Sequence, residues 1–116
     1  MSYAETRQRI LRMLPKGAIG AEIGVWQGDY SEKLLDITSP RVLHLIDPWA
    51  VRIDPLYDAA WYCKARGADM EATYQGVRAR FSREIASGQV VIHRKLSNEA
   101  MGDLADSSLD YVYVDG

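Results

Sequence analysis

The chain has 116 residues, 47% of them apolar and 26% charged, the mix of a single soluble globular domain. Its formal net charge of −2 argues against a general nucleic-acid binder, which carries a basic excess or a basic stripe. The lone cysteine, Cys63, excludes a disulfide framework, and no run approaches the roughly 20 apolar residues of a membrane span.

The opening residues, Met1 to Glu5, lack the basic-then-apolar pattern of a signal peptide, so a cytoplasmic location is expected. Ser2 with Glu5 forms a capping-box pattern, which predicts a helix carrying Ile10, Leu11 and Leu14 as its apolar stripe and ending at Pro15-Lys16-Gly17. Residues 18–23 form a short apolar strand that runs into Gly24. A second helix is expected from about Asp29 to Ile37, broken by Ser39-Pro40, and a second strand over 41–47, stopped by Pro48.

Residues 48–68 read as irregular and aromatic, with Trp49, Tyr57, Trp61 and Tyr62 forming either a hydrophobic satellite cluster or a lid over a substrate. Asp69 then caps a helix. Its face is set by Met70, Tyr74, Val77, Phe81 and Ile85, and Gly88 stands just past its end. Residues 89–93 begin a third strand, Ser97 caps a short helix to about Leu104, and residues 109–115 make a fourth strand. His44 and His93 lie within strands and read as packed or edge histidines. Such alternation of apolar strands and helices predicts an α/β fold, a Rossmann-like doubly wound parallel sheet with helices on both faces.

Three carboxylates stand at the carboxyl ends of apolar strands, where ligands bind in sheets of this kind: Glu22, Asp47 and Asp115. After the first strand, Gly24 and Gly28 can take positive φ and let a ligand approach the backbone. Asp47 lies 19 residues beyond Gly28, where a ribose-binding carboxylate belongs in a nucleotide-type βαβ unit. Trp26 and Asp29 occupy two glycine positions of the dinucleotide fingerprint, and no Gly-Lys-Ser/Thr of a P-loop occurs. Taken alone, Glu22 could merely hold the turn, Asp47 could be a turn residue, and Trp26 could be core packing as well as a cofactor contact.

The run Glu22-Ile23-Gly24-Val25-Trp26-Gln27-Gly28 resembles motif I of class I S-adenosylmethionine (SAM) dependent methyltransferases, with Trp26 at the position of the middle glycine. Together with Ile46-Asp47-Pro48-Trp49 and the segment from Leu109 to Gly116, it is similar to the branch of small-molecule O-methyltransferases. The resemblance spans Gly17 to Gly116. It implies strand order 3-2-1-4 and a partial SAM-dependent methyltransferase domain over residues 1–116, truncated after the fourth of the family's seven strands. Glu22 and the turn Gly24, Val25, Trp26, Gly28 would hold the methionine end of SAM. Asp47 would bind the ribose hydroxyls, Pro48 and Trp49 would flank the adenosine, and Ser97 would lie near the adenine.

By the same resemblance, Asp115 would face the methyl group and orient or deprotonate a small-molecule acceptor. It stands where magnesium-dependent relatives keep one metal ligand, but the partner carboxylates would lie beyond Gly116, so no metal is expected. Neither a membrane nor a nucleic acid is expected as a partner. The fourth strand, apolar on both faces, is expected to be an edge that self-associates or belongs to a longer polypeptide. Two other readings are a non-catalytic SAM- or nucleoside-binding module and a nicotinamide-dependent oxidoreductase fragment. Binding of labelled SAM without turnover would mark the first, and a preference for NADH over SAM the second.

Overall fold

A computed structural model of the chain describes residues 2–50, 70–104 and 108–114. In chain order the elements are α1 (Tyr3–Met13), β1 (Ile19–Ile23), α2 (Asp29–Thr38), β2 (Val42–Ile46), α3 (Met70–Arg80), α4 (Ser82–Ser87), β3 (Val90–His93), α5 (Ser97–Asp103) and β4 (Tyr111–Val114). The four strands form one sheet in the order β3-β2-β1-β4, every neighbouring pair parallel. This is the α/β order expected from the sequence. Gly20 pairs with Leu43 on one side and Tyr111 on the other, and Leu43 pairs with Val90.

Because side chains alternate across a strand, this register sorts the sheet into two faces. The first carries Glu22, Leu43, Leu45, Val90, Ile92, Tyr111 and Tyr113. The main core forms there, with Leu11 from α1, Tyr30 and Leu34 from α2, Val77 from α3, and Phe81. The second face carries Ala21 and Ile46, covered by Ala100 of α5, with Ile23 and Leu109 beside them. Further along that face cover thins: Val112 on β4 is 41% exposed and Val114 is 67% exposed. Among the described residues, β4 stands at one end of the strand order.

The local signals read from the sequence are visible as bonds. The Ser2 hydroxyl accepts from Glu5 N–H at 3.1 Å while the Glu5 carboxylate accepts from Ser2 N–H at 3.2 Å, closing the capping box. Gly88 takes φ 86 and its N–H donates to Ile85, ending α4. Gly20 is required by contact: a Cβ there would lie 2.2 Å from the Tyr111 ring, which crosses over β1 at that point.

Two expectations need correction. The helical face from Met70 to Ile85 is not one helix: the chain breaks at Phe81, whose φ of −107 and ψ of 26 leave the helical region, and restarts as α4. The break coincides with the insertion of the Phe81 ring against Gly28. Ser97 is not the cap of α5 but its first residue. Leu96 holds the cap position, with no side-chain hydrogen bond, so the start of α5 rests on packing of Ala100. Asp69, expected to cap α3, and the aromatic residues Tyr57, Trp61 and Tyr62 lie outside the described residues, as does Cys63.

His44 and His93 meet on the second face, His44 Nδ1 lying 2.9 Å from His93 Nε2. One ring must donate and the other accept, so this contact exists only when at least one is neutral. Burial lowers both pKa values. The facing His93 ring adds to the effect on His44, and Lys95 adds to that on His93, against an opposing pull from Asp103. A lowered folded value means that the folded state refuses protons which the unfolded chain accepts. The pair's contribution is therefore fully present above the unfolded value of about 6.5 and is lost as pH falls through the folded values. The urea midpoint is expected to fall between about pH 7.5 and about pH 5.5, and His44→Gln to flatten that slope. Equal slopes in wild type and variant would reject the assignment.

Candidate functional site

At the carboxyl end of β1 the chain turns through Gly24 (φ 88), Trp26 (φ 54) and Gly28 (φ 87) into α2. The glycines take these angles freely. For a tryptophan the left-handed region costs about 1–3 kcal/mol and persists only where neighbours hold it. What holds it comes from the end of β2. Asp47 Oδ2 accepts from the N–H groups of Val25 and Trp26, each at 3.0 Å, and Asp47 Oδ1 accepts from Trp49 N–H at 2.7 Å. The Trp49 indole donates back to the Trp26 carbonyl at 2.8 Å. The two strand ends are thus laced together through one carboxylate and one indole.

This geometry separates the two tryptophans. Trp26 is 44% exposed and contributes its backbone to the lacing, leaving much of its ring at the surface. Trp49 is 1% exposed, also at positive φ (42), with its ring against Tyr74 at 5.2 Å. Its side chain belongs to the core. Pro48 is half-buried between Asp47 and Trp49. Over Tyr74 sits the guanidinium of Arg94, 4.2 Å from the ring centre and paired with Glu71. Hydrogen bonds from Arg94, and then from Gln75, hold the Glu71 carboxyl below its ordinary value.

Glu22 does not face an open crevice. It is fully buried on the first face of the sheet and accepts a hydrogen bond from the Ser31 hydroxyl, tying β1 to the start of α2. Burial, with the Glu22 charge nearby, pushes the Tyr111 phenol up against an opposing hydrogen bond with Thr38. Tyr30 is likewise raised, first by burial and then by the neighbouring Tyr113, whose ring lies 4.7 Å away.

Below the turn, Gly28 meets the Phe81 ring, which a Cβ would approach to 2.7 Å. Arg80, one residue earlier, donates to the Gln27 carbonyl at 3.2 Å and to Asp29 at 2.8 Å, and pairs with Glu32. An arginine at the end of α3 thus fastens both the turn and the first turn of α2.

The structure therefore brings Glu22, Gly24, Val25, Trp26, Gly28, Asp47, Pro48 and Trp49 to neighbouring strand ends. Ser97 begins α5, on the second face. Asp115, the expected catalytic residue, lies outside the described residues. Ser31, Arg80 and Arg94 were missed by sequence reasoning. Ser31 and Arg80 act across 9 and 51 residues of chain respectively, and single polar residues on amphipathic helices carry no mark of such partners. Among the described residues, no group of three or more His, Cys, Asp or Glu could hold a metal ion, and no helix is long and apolar enough to cross a membrane.

No protein-family model and no curated protein sequence matches the chain. Its fold recurs among solved structures, including the following two. One is described as an rRNA-methylase from Clostridium thermocellum, with a TM-score of 0.60 at 10% identity, over 97% of this chain and 50% of that one. The other is a cyclopropane-fatty-acyl-phospholipid synthase-like protein from Lactobacillus casei ATCC 334, with a TM-score of 0.50 at 22% identity, over 98% of this chain and 40% of that one. The chain spans half or less of each neighbour's length, and at these identities the likeness is one of fold: a Rossmann-like α/β sheet in the order 3-2-1-4.

Proposed function

We propose that the chain is the cofactor-binding part of a SAM-dependent methyltransferase whose acceptor is an oxygen of a small molecule. The observation that carries the reading is the meeting of two strand ends in a fold shared with a protein described as a methylase. A glycine-flanked turn after β1 and a carboxylate after β2 are held within hydrogen-bond distance of each other. The donor set suits a nucleoside with an amino-acid tail. Gly24 leaves the turn without a side chain at its start, and the half-buried Asp47 keeps acceptor capacity beyond its three N–H partners.

In this reading Asp47 accepts from the ribose hydroxyls, the turn from Gly24 to Gly28 borders the amino-acid end, and Glu22 keeps the turn in place from beneath. Bound there, SAM supplies an electrophilic sulfonium methyl group. The chain's residues supply alignment, which can be worth up to roughly 7–11 kcal/mol when reacting atoms are held in line. The acidic balance of the chain favours a small acceptor over RNA. Equilibrium binding of radiolabelled SAM tests the reading, with NADH as the competitor. Saturable SAM binding that NADH does not displace is expected. Failure of SAM to bind, or displacement by NADH, would reject it. Methyl transfer to a panel of phenols and carboxylic acids then separates an enzyme from a binding module.

A further inference from the structure

The second face of the sheet holds a pair of ligating side chains away from the turn after β1. His44 stands on β2 and His93 at the end of β3, and both residues are half-buried. Ile46 pairs with His93 in the register, and His44 shares a face with Ile46, so the two imidazoles are diagonal neighbours across a parallel pair. His44 Nδ1 lies 2.9 Å from His93 Nε2, with the ring centres 5.1 Å apart and the planes inclined at 43°.

Two nitrogens aimed at each other from adjacent strands are close to the geometry of a chelate. Zinc takes imidazole nitrogens at about 2.0–2.1 Å in a tetrahedral shell, which sets neighbouring nitrogens roughly 3.3 Å apart. A small rotation of each ring about its side-chain bonds takes the pair from the observed separation to that one. Both ligands stand on strands of one sheet rather than on loops, so backbone pairing fixes where the rings start.

In the unliganded pair, one of the two facing nitrogens carries the proton that the other accepts. A metal needs a lone pair on both. The proton therefore passes, through solvent, to the remote nitrogen of the same ring, and two neutral rings lose no proton overall. One neutral hydrogen bond is exchanged for two bonds to a cation.

The surroundings bear on which cation fits. Imidazole suits zinc, copper and nickel, whereas magnesium and calcium take oxygen ligands. The charged groups that act on His93, Lys95 and Asp103, are paired with each other. Lys95 is thereby offset as a repelling charge, and Asp103 is engaged elsewhere than at the rings. Half-exposure of the rings lets water complete the shell.

We propose that His44 and His93 form a two-histidine site for a borderline transition-metal cation, Zn²⁺ or its Cu²⁺ and Ni²⁺ relatives, which cross-links β2 to β3. The site uses none of the residues at the turn after β1, so it stands or falls apart from the methyltransferase reading.

Titration of the full chain, without a purification tag and stripped of metal by a chelator, with zinc chloride tests the site. One Zn²⁺ per chain is expected to bind at the pair, with a dissociation constant of roughly 1–100 µM, far weaker than a four-ligand structural site because half the ligands are water. Excess magnesium chloride is expected not to compete. His44→Gln and His93→Gln each remove one ligand and are each expected to weaken binding by roughly 10- to 100-fold, at least the loss seen when only an outer partner of a metal ligand is removed. Thermal melting confirms that each variant folds, and the rise in melting temperature that Zn²⁺ gives wild type is expected to shrink in both. Nitrogen NMR on the wild-type chain is independent of how the variants fold: Zn²⁺ is expected to shift the His44 Nδ1 and His93 Nε2 signals together. Zinc affinity unchanged in both variants, zinc-induced shifts that spare these two nitrogens, or no saturable zinc binding below about 1 mM would each overturn the proposal.

Discussion

Replacing Asp47 by alanine is expected to lower stability and, in the methyltransferase reading, cofactor affinity as well. The Asp47 carboxylate accepts three backbone N–H groups, those of Val25, Trp26 and Trp49, and two of those residues are tryptophans at positive φ. A hydrogen bond to a charged group contributes about 1.5–3 kcal/mol, but these donors are only part-buried and water can replace some of the loss. A cost of about 3 kcal/mol is therefore expected, a fall in melting temperature of about 12 °C for a domain of this size. Asparagine at the same position is informative. It keeps one oxygen for Val25 and Trp26 but turns an NH₂ group toward the Trp49 N–H, so it is expected to cost nearly as much as alanine. In the methyltransferase reading, affinity for S-adenosylhomocysteine falls by roughly 10- to 100-fold in the alanine variant. Denaturation and calorimetry on the same two variants check both parts. An Asp47→Asn variant as stable as wild type would show that the Trp49 contact contributes little. Unchanged affinity in a folded Asp47→Ala variant would remove the ribose role.

Gly28→Ala is expected to be comparably severe for a different reason. The residue has φ 87, where an L side chain costs about 1–2 kcal/mol, and its new Cβ would stand 2.7 Å from the Phe81 ring. Overpacking of this kind adds about 1–3 kcal/mol, so a loss of about 2–5 kcal/mol is expected in total. The two contributions separate in a double-mutant cycle with Phe81→Leu, which opens space but leaves the backbone angle unchanged. Gly28→Ala should cost about 1–3 kcal/mol less in the Phe81→Leu background, with the φ penalty remaining. Additive losses would mean that the ring moves aside freely and that backbone strain alone is at work. Because Gly28 holds the cap position between the turn and α2, in the methyltransferase reading the single variant is also expected to weaken S-adenosylhomocysteine binding, measurable in the same titrations as for Asp47.

The sequence by itself determined the elements and their order, apart from the break that divides α3 from α4. The capping box at Ser2 and Glu5, the glycine past Ile85, and apolar runs of strand length are local signals, and local signals survive without knowledge of the rest of the chain. Short apolar strands alternating with helices restrict the fold to a parallel sheet, and the resemblance supplied the strand order that the pairing of β1 with both β2 and β4 displays. The positions of Glu22 and Asp47 at strand ends were legible for the same reason: strand boundaries are marked by turn residues such as Gly24 and Pro48.

What each of those side chains touches was decided only by the tertiary structure. Glu22 turns under α2 to Ser31 because its place in the register puts it on the face with Leu45 and Tyr113, the face that α2 covers. The Val25 and Trp26 N–H groups are directed at Asp47 because parallel pairing sets the ends of β1 and β2 side by side, across 22 residues of chain. The break at Phe81 follows a contact with Gly28 that no helical period encodes. Periodicity reports which face of an element is apolar. Which distant group meets that face depends on how the elements are brought together, and hydrogen-bond and ion-pair partners are fixed only at that stage.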